Sequence, residues 1–246
     1  MDGRNMKRID GRAPGELRPV EIIRGYQPSA EGSVLFQLGG TKVICSATVE
    51  YKVPPWLKGK GRGWVTAEYS MLPRSTTVRT MREVTKGRPQ GRTCEIQRLI
   101  GRSLRSVVEM DKLGEVTIIV DCDVVCADGG TRTAAVTGGF IALYDALSWL
   151  KDQKKIDELP LTDFIAATSV GVIDGAVCVD LDYSEDSVAD VDLNLVMNGS
   201  GGVIEIQGTA EKAPFSRDRL TEMLDIAGAG VERLIEISRS ILLKEG

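Results

Sequence analysis

The chain has 246 residues, 42% of them hydrophobic and 27% charged, with a formal net charge of −4 and no histidine. Such a composition suits a globular chain with a buried core, while the missing histidine excludes Ser-His-Asp and Cys-His catalysis and His-ligated zinc. Five cysteines, an odd number without a C-x-x-C pair, argue against a disulfide framework or a zinc ribbon, and the charged start together with the lack of a long apolar stretch predicts a cytoplasmic protein with no membrane partner.

In chain order, strands are predicted at residues 17–23, 33–38 and 41–50, with Gly39-Gly40 supplying the positive φ of a tight hairpin, and a fourth at 63–71. Residues 74–91 are rich in Arg, Thr and Gly without an apolar period, which predicts a mobile basic loop. From Thr93 onward, Ile96, Leu99, Ile100, Leu104, Val107 and Val108 share one helical face, with Arg98, Arg102 and Arg105 opposite and Arg92 near the apolar edge at the first turn.

Residues 115–125 read as a strand, and 133–150, crowded with Ala and Gly, as a central, tightly packed helix. Strands at 165–173 and 176–181 flank the hairpin signal Asp174-Gly175. In 189–197, Asp190, Asp192 and Asn194 alternate with Val191, Leu193 and Leu195, the pattern of a strand with one polar face. After a strand at 203–207, Ser216 is suited to cap a long final helix reaching Leu242. Strands followed by a helix in each half make the class α+β. The expected organisation is one domain over 1–246, with an N-terminal half at about 8–150 and a C-terminal half at 151–246.

Charge is unevenly spread. Twelve Lys and Arg residues lie between Lys58 and Arg105, and none between Ile156 and Glu211, where Asp and Glu accumulate instead. Either run alone suits a solvated surface; together they suggest cations on an acidic lobe facing phosphates on a basic one. Between a strand and a helix, Gly129-Gly130-Thr131-Arg132 combines close-approaching backbone amides with a hydroxyl and a guanidinium, which fits an anion, although a plain glycine turn with a Thr cap has the same sequence. Arg92 adds a second fork, whose alternatives are a bound phosphate or a salt bridge to Asp121 or Asp123. Asp180, Asp182, Glu185, Asp186, Asp190 and Asp192 form an oxygen-only cluster that suits magnesium or manganese, or else a plain acidic surface.

Seven segments carry more than these separate signals: DGR at 10–12, LRPV at 17–20, AEGSVL at 30–35, GWVTAEYSMLPR at 63–74, GRTCEIQRLIGRSLR at 91–105, DCDVVCADGGTRT at 121–133 and QGTAEKAPFS at 207–216. In that order they closely resemble the bacterial ribonuclease PH family over nearly the whole chain. The resemblance implies the ribonuclease PH fold, an α+β fold like ribosomal protein S5 domain 2 with mixed sheets packed against helices. It also implies a homohexamer made as a trimer of dimers. The implied activity is a phosphate-dependent 3′–5′ exoribonuclease, or tRNA nucleotidyltransferase, that trims 3′ ends of tRNA precursors and other structured RNAs. Inorganic phosphate is the co-substrate, nucleoside diphosphates are released, and the reaction is reversible.

By the same resemblance, phosphate falls to Arg92, Gly130, Thr131 and Arg132, and the catalytic and metal-binding roles, for Mg2+ or Mn2+, fall to Asp180 and Asp186. RNA guidance falls to Arg74, Arg79, Arg82, Lys86 and Arg88. The stretch STTVRTMR after Arg74 departs from the usual wording, as does the short segment before Arg8. Two rival functions are a non-catalytic RNA-binding ring subunit of an exosome-like complex and a hydrolytic magnesium nuclease.

Overall fold

In the computed structural model, residues 8–88 and 90–243 are described, without the side chains of Val84 and Lys86. Strands β1 (Val20–Arg24), β2 (Gly32–Leu38) and β3 (Thr41–Glu50) form an antiparallel meander. Alternate residues of the second and third, Val34, Phe36, Leu38, Val43, Cys45 and Ala47, point into the core, the period of two that one buried sheet face requires. Strand β4 (Trp64–Met71), helix α1 (Gly91–Arg105), the single turn α2 (Met110–Leu113) and strand β5 (Thr117–Cys126) follow, and β4 lies parallel to β5. A helical crossover is what a parallel pair needs. The first sheet runs β1-β2-β3-β5-β4.

Helix α3 (Thr131–Asp152) leads to the second half: β6 (Ile165–Ile173), β7 (Ala176–Val179), the short α4 (Tyr183–Asp186), β8 (Val191–Asn198), β9 (Val203–Ala210) and α5 (Arg217–Leu242). The second sheet runs β7-β6-β8-β9. Helix α3 contacts strands of both sheets, and α5 covers β6, β7 and β8. Its small residues explain how α3 fits there: a Cβ on Gly138 would come within 2.9 Å of Cys45 Sγ and of Phe36 Cβ, so only a bare backbone allows this approach. One apolar cluster runs from Val34 through Ala135 and Phe140 to Ile165, Val231 and Leu242, joining the halves.

The expected strands and long helices are present, with differences at their ends. Helix α1 begins at Gly91 and α3 at Thr131, each two residues earlier than the apolar periodicity indicates, because polar residues of a first turn leave no mark on a hydrophobic pattern. That shift brings Thr131 and Arg132 into the first turn of α3, while Arg92 lies in the first turn of α1, as expected. Helix α4, held by a capping box between Asp182 and Glu185, lies within the acidic run. All five cysteines are free thiols. Among the described residues no helix is long and apolar enough to cross a membrane.

Candidate active site

The glycine loop has the backbone geometry that an anion cradle would need. Gly129 and Gly130 both have left-handed φ, +73° and +63°, and turn the chain out of β5 so that α3 starts at once. The first bond of the helical ladder runs from the Ala134 N–H to the Gly130 carbonyl at 3.0 Å, so the N–H groups of Thr131, Arg132 and Thr133 precede the ladder and face outward at the positive end of the helix dipole. No side chain caps this end, which departs from a simple Thr-capped turn. The Thr131 hydroxyl accepts a bond from the Tyr69 hydroxyl of β4 at 2.9 Å, leaving its own proton for a ligand. Tyr69 itself is nearly buried, and desolvation holds its phenol above the ordinary value, against the opposing charges of Arg92 and Arg132, so it stays a donor at neutral pH.

The two guanidiniums differ in restraint. Arg132 is held by the Gln207 side chain at 3.0 Å and by Glu95 at 3.4 Å, while Gln207 also donates to Glu95 at 2.8 Å. Arg92 is exposed in the first turn of α1, and Glu83 braces that turn by accepting from the Gln90 N–H at 3.1 Å and the Thr93 hydroxyl at 2.6 Å. The alternative of a salt bridge to Asp121 or Asp123 is not what forms. Burial raises the carboxyls of both; the Asp121 carboxyl feels Asp123 and Glu68, and the Asp123 carboxyl feels Arg82. Arg92 acts on Asp186 and Asp192 instead.

The acidic cluster separates into members with different partners. Asp182 caps α4, Glu185 is buried against Arg8, and Asp190 pairs with Lys212 at 2.6 Å. Asp180, expected as a catalytic and metal-binding carboxylate, is 1% exposed. Both its oxygens are taken by the Arg18 guanidinium, at 2.7 and 3.0 Å, and one also accepts the Arg18 backbone N–H at 2.8 Å. A carboxylate so enclosed and neutralised is closed off from a metal or a substrate, and this corrects the sequence-based expectation for Asp180. Of the six, Asp186 and Asp192 alone, among the described residues, have no ion pair or side-chain hydrogen bond.

Those two carboxylates share one crevice of about 340 Å³ with Glu211 and Lys212. Burial raises the carboxyl of Asp186, against the charges of Arg92 and Arg132 and with Glu211 adding to the rise. Asp192, from β8, is pushed up to about 6, first by burial and then by the negative charge of Asp186. Basic and acidic lobes thus face each other here, as the opposed charge runs suggested, and an Arg102–Glu205 ion pair at 2.6 Å also links α1 to β9.

Arg74, Arg79, Arg82 and Arg88 are all exposed on the segment between β4 and α1, with Val78 and Met81 exposed among them. A 3₁₀ turn at Glu83–Lys86 gives the segment more local order than its sequence suggests. It is joined to the glycine loop where the Ala127 N–H donates to the Ser75 carbonyl at 2.8 Å. The Lys86 side chain lies outside the described residues, as does the segment before Arg8.

Residues 16–147 match the 3′ exoribonuclease family (RNase_PH), domain 1, and residues 163–230 match its domain 2. The chain belongs to the ribonuclease PH family. It is 61% identical over 237 residues to Ribonuclease PH of Moorella thermoacetica, covering 96% of this chain and 95% of that one. Ribonuclease PH of Syntrophomonas wolfei subsp. wolfei is 57% identical over 237 residues, 96% and 99% of the two chains. Two solved structures share the fold: rice Rrp46, with a TM-score of 0.77 at 21% identity over 96% of this chain and 100% of that one, and an Archaeoglobus fulgidus exosome with RNA bound to the active site, with a TM-score of 0.78 at 24% identity over 95% and 93%.

Within this ribonuclease PH fold, the structure brings together Arg92, Gly130, Thr131, Arg132 and Asp186, all singled out in the sequence, with four others that sequence reasoning did not single out. Asp192 was visible on the polar face of a strand but undistinguished from Asp190. Tyr69, Gln207 and Glu95 act on the cradle across elements far apart in sequence, and no local spacing signals them.

Proposed function

We propose that phosphate-dependent 3′–5′ exoribonuclease activity runs in the crevice between the first turns of α1 and α3 and the Asp186–Asp192 pair. Arg92, Arg132, the Thr131 hydroxyl and the first N–H groups of α3 hold inorganic phosphate, and the basic segment bearing Arg74, Arg79, Arg82, Lys86 and Arg88 guides the RNA 3′ end toward it. A phosphate oxygen bonds to the last phosphodiester phosphorus as the bond to the preceding 3′ oxygen breaks. The products are a nucleoside diphosphate and an RNA one nucleotide shorter. Fixing the attacking group beside its target removes much of the entropic barrier, and Asp186, exposed beside two guanidiniums, moves the proton to the departing 3′ oxygen. Because the exchange is between phosphate esters of similar energy, abundant diphosphates drive the same site to extend RNA.

Asp186 and Asp192 suit a magnesium or manganese ion held by two carboxylates together with substrate phosphates and water. Among the described residues no three metal-ligating side chains converge. When bound, the ion offsets negative charge on the reacting phosphates. The substrate class, 3′-extended tRNA precursors, the cytoplasmic location that goes with it, and assembly of the two-half domain into a homohexamer belong to the same proposal and rest on the family.

The observation that carries this reading is the meeting of two guanidiniums and an uncapped helix start with Asp186 and Asp192, the two members of the acidic run without an ion pair or side-chain hydrogen bond among the described residues. The test incubates the protein with 3′-extended tRNA and magnesium, with and without inorganic phosphate, and identifies released nucleotides by mass. Diphosphates only when phosphate is present are expected. Monophosphates regardless of phosphate would mean hydrolysis, and RNA binding without release would mean a non-catalytic ring subunit. Light scattering checks the hexamer.

A further inference from the structure

Three stretches distant in sequence converge on the backbone of residues 128–130. Arg18 lies buried between them: its guanidinium is fixed by both oxygens of Asp180 and donates in turn to the Asp128 carbonyl and, at 3.5 Å, to that of Gly129. Thr41, just past the β2–β3 hairpin, donates its hydroxyl to the Gly129 carbonyl at 2.6 Å and accepts the Asp128 N–H at 3.0 Å. The hairpin glycines make room for this contact, since a Cβ on Gly39 would lie 2.4 Å from Arg18 Cδ and one on Gly40 2.4 Å from Asp128 Oδ2. From the other side, a Cβ on Gly129 would lie 2.3 Å from the Leu181 carbonyl oxygen.

We propose that Arg18, locked by Asp180 and seconded by Thr41, is the positioning residue of the phosphate cradle. It clamps the carbonyls that precede Gly130, and so fixes the direction in which the N–H groups of Thr131 and Arg132 point. The inference rests on the cradle being the phosphate site. Its physical content is that carbonyls turned back onto a buried cation cannot rotate toward the anion, whose approach they would oppose, and that the two left-handed glycines, with no side chains to limit them, need an external restraint. A buried planar fork serves this role where a lysine would not, because it bonds Asp180 and the loop at the same time.

The test measures KM for phosphate, KM for a 3′-extended RNA, kcat and hydrogen exchange at the 128–133 amides in Arg18→Lys, Thr41→Val and Arg92→Ala variants of the full chain. Arg18→Lys is expected to raise the phosphate KM roughly ten- to a hundredfold, with RNA KM within about twofold of the parent and faster exchange confined to the loop. Thr41→Val, which keeps side-chain shape, should move the phosphate KM the same way by roughly three- to tenfold. If Arg18→Lys does not fold, Thr41→Val decides. Phosphate KM values unchanged in the folded variants, or rising in step with RNA KM, overturn the positioning role. Full turnover in Arg92→Ala would instead overturn the phosphate site itself, whatever Arg18 does.

Discussion

Asp180 and Asp186 carry the same carboxylate six residues apart, yet their surroundings separate their duties. Asp180 ends a buried strand edge in a left-handed conformation, φ +53°, with Arg18 engaging both of its carboxylate oxygens and Arg12 at 3.5 Å. Asp186 closes a one-turn helix at the surface and faces two guanidiniums without pairing with either. A carboxylate that is fully paired stabilises geometry; one held near positive charge but left open retains lone pairs for a ligand. What separates them is not residue type or local spacing but whether a long-range partner arrives, and for Asp180 that partner comes from a segment more than a hundred residues away in the chain.

The contrast breaks down if activity and stability do not separate by position. Arg92→Ala should show the largest loss, roughly 10²- to 10³-fold in turnover with melting unchanged, by analogy with loss of one preorganised oxyanion donor; phosphorolysis rate beside a thermal melt checks it. Asp186→Asn and Asp192→Asn should each lose roughly 10²-fold or more in kcat while staying folded. Asp180→Asn should do the reverse in kind. It leaves Arg18 buried with half its compensation and should lower unfolding free energy by about 3 to 5 kcal/mol, read from denaturant curves, where Asp186→Asn changes it by less than about 0.5 kcal/mol.

The open pair also predicts a pH response. Asp192, with its carboxyl held at about 6 in the fold against an ordinary 3.8, binds more protons folded than unfolded between those values. Without a divalent ion, its contribution to stability is therefore full below the unfolded value and is lost as pH rises through about 6. Activity runs the other way, since the ionised pair is needed: kcat/KM should fall as pH drops through about 6. Melting in chelator and rates in magnesium, scanned over the same buffers, should show these opposite trends.

The smallest effects are expected on the basic segment. Arg79→Ala or Arg82→Ala should weaken RNA binding and reduce the slope of log affinity against log salt by about 0.7, the value for one single-strand phosphate contact, while the phosphate KM stays at the parental level. A change in phosphate KM would mean that this segment, through its bond from Ala127 to Ser75, also shapes the cradle.

Much of the fold was legible in the chain itself. The period of two in residues 33–47, the helical period from Ile96 to Leu104 and the glycine and Asp-Gly turns are local patterns, and local sterics with one-sided burial are sufficient to set strand, helix and hairpin; Val107 and Val108, which share the period, lie past the end of α1. The glycine turn into a helix start was legible too, because Gly129-Gly130-Thr131-Arg132 is contiguous and its geometry is local. Helix starts were less legible, since a first turn is polar.

Only the tertiary structure decided which carboxylates are free. In sequence, Asp180, Asp182, Glu185, Asp186, Asp190 and Asp192 are one acidic run; in space Arg18, Arg8, Lys212 and a capping box remove four of them and leave Asp186 with Asp192. Ion pairing depends on distance through space, and chain spacing carries no information about which distant arginine will arrive. For the same reason Arg18, Thr41, Tyr69 and Gln207 were silent in the sequence, although each touches the cradle in the folded chain.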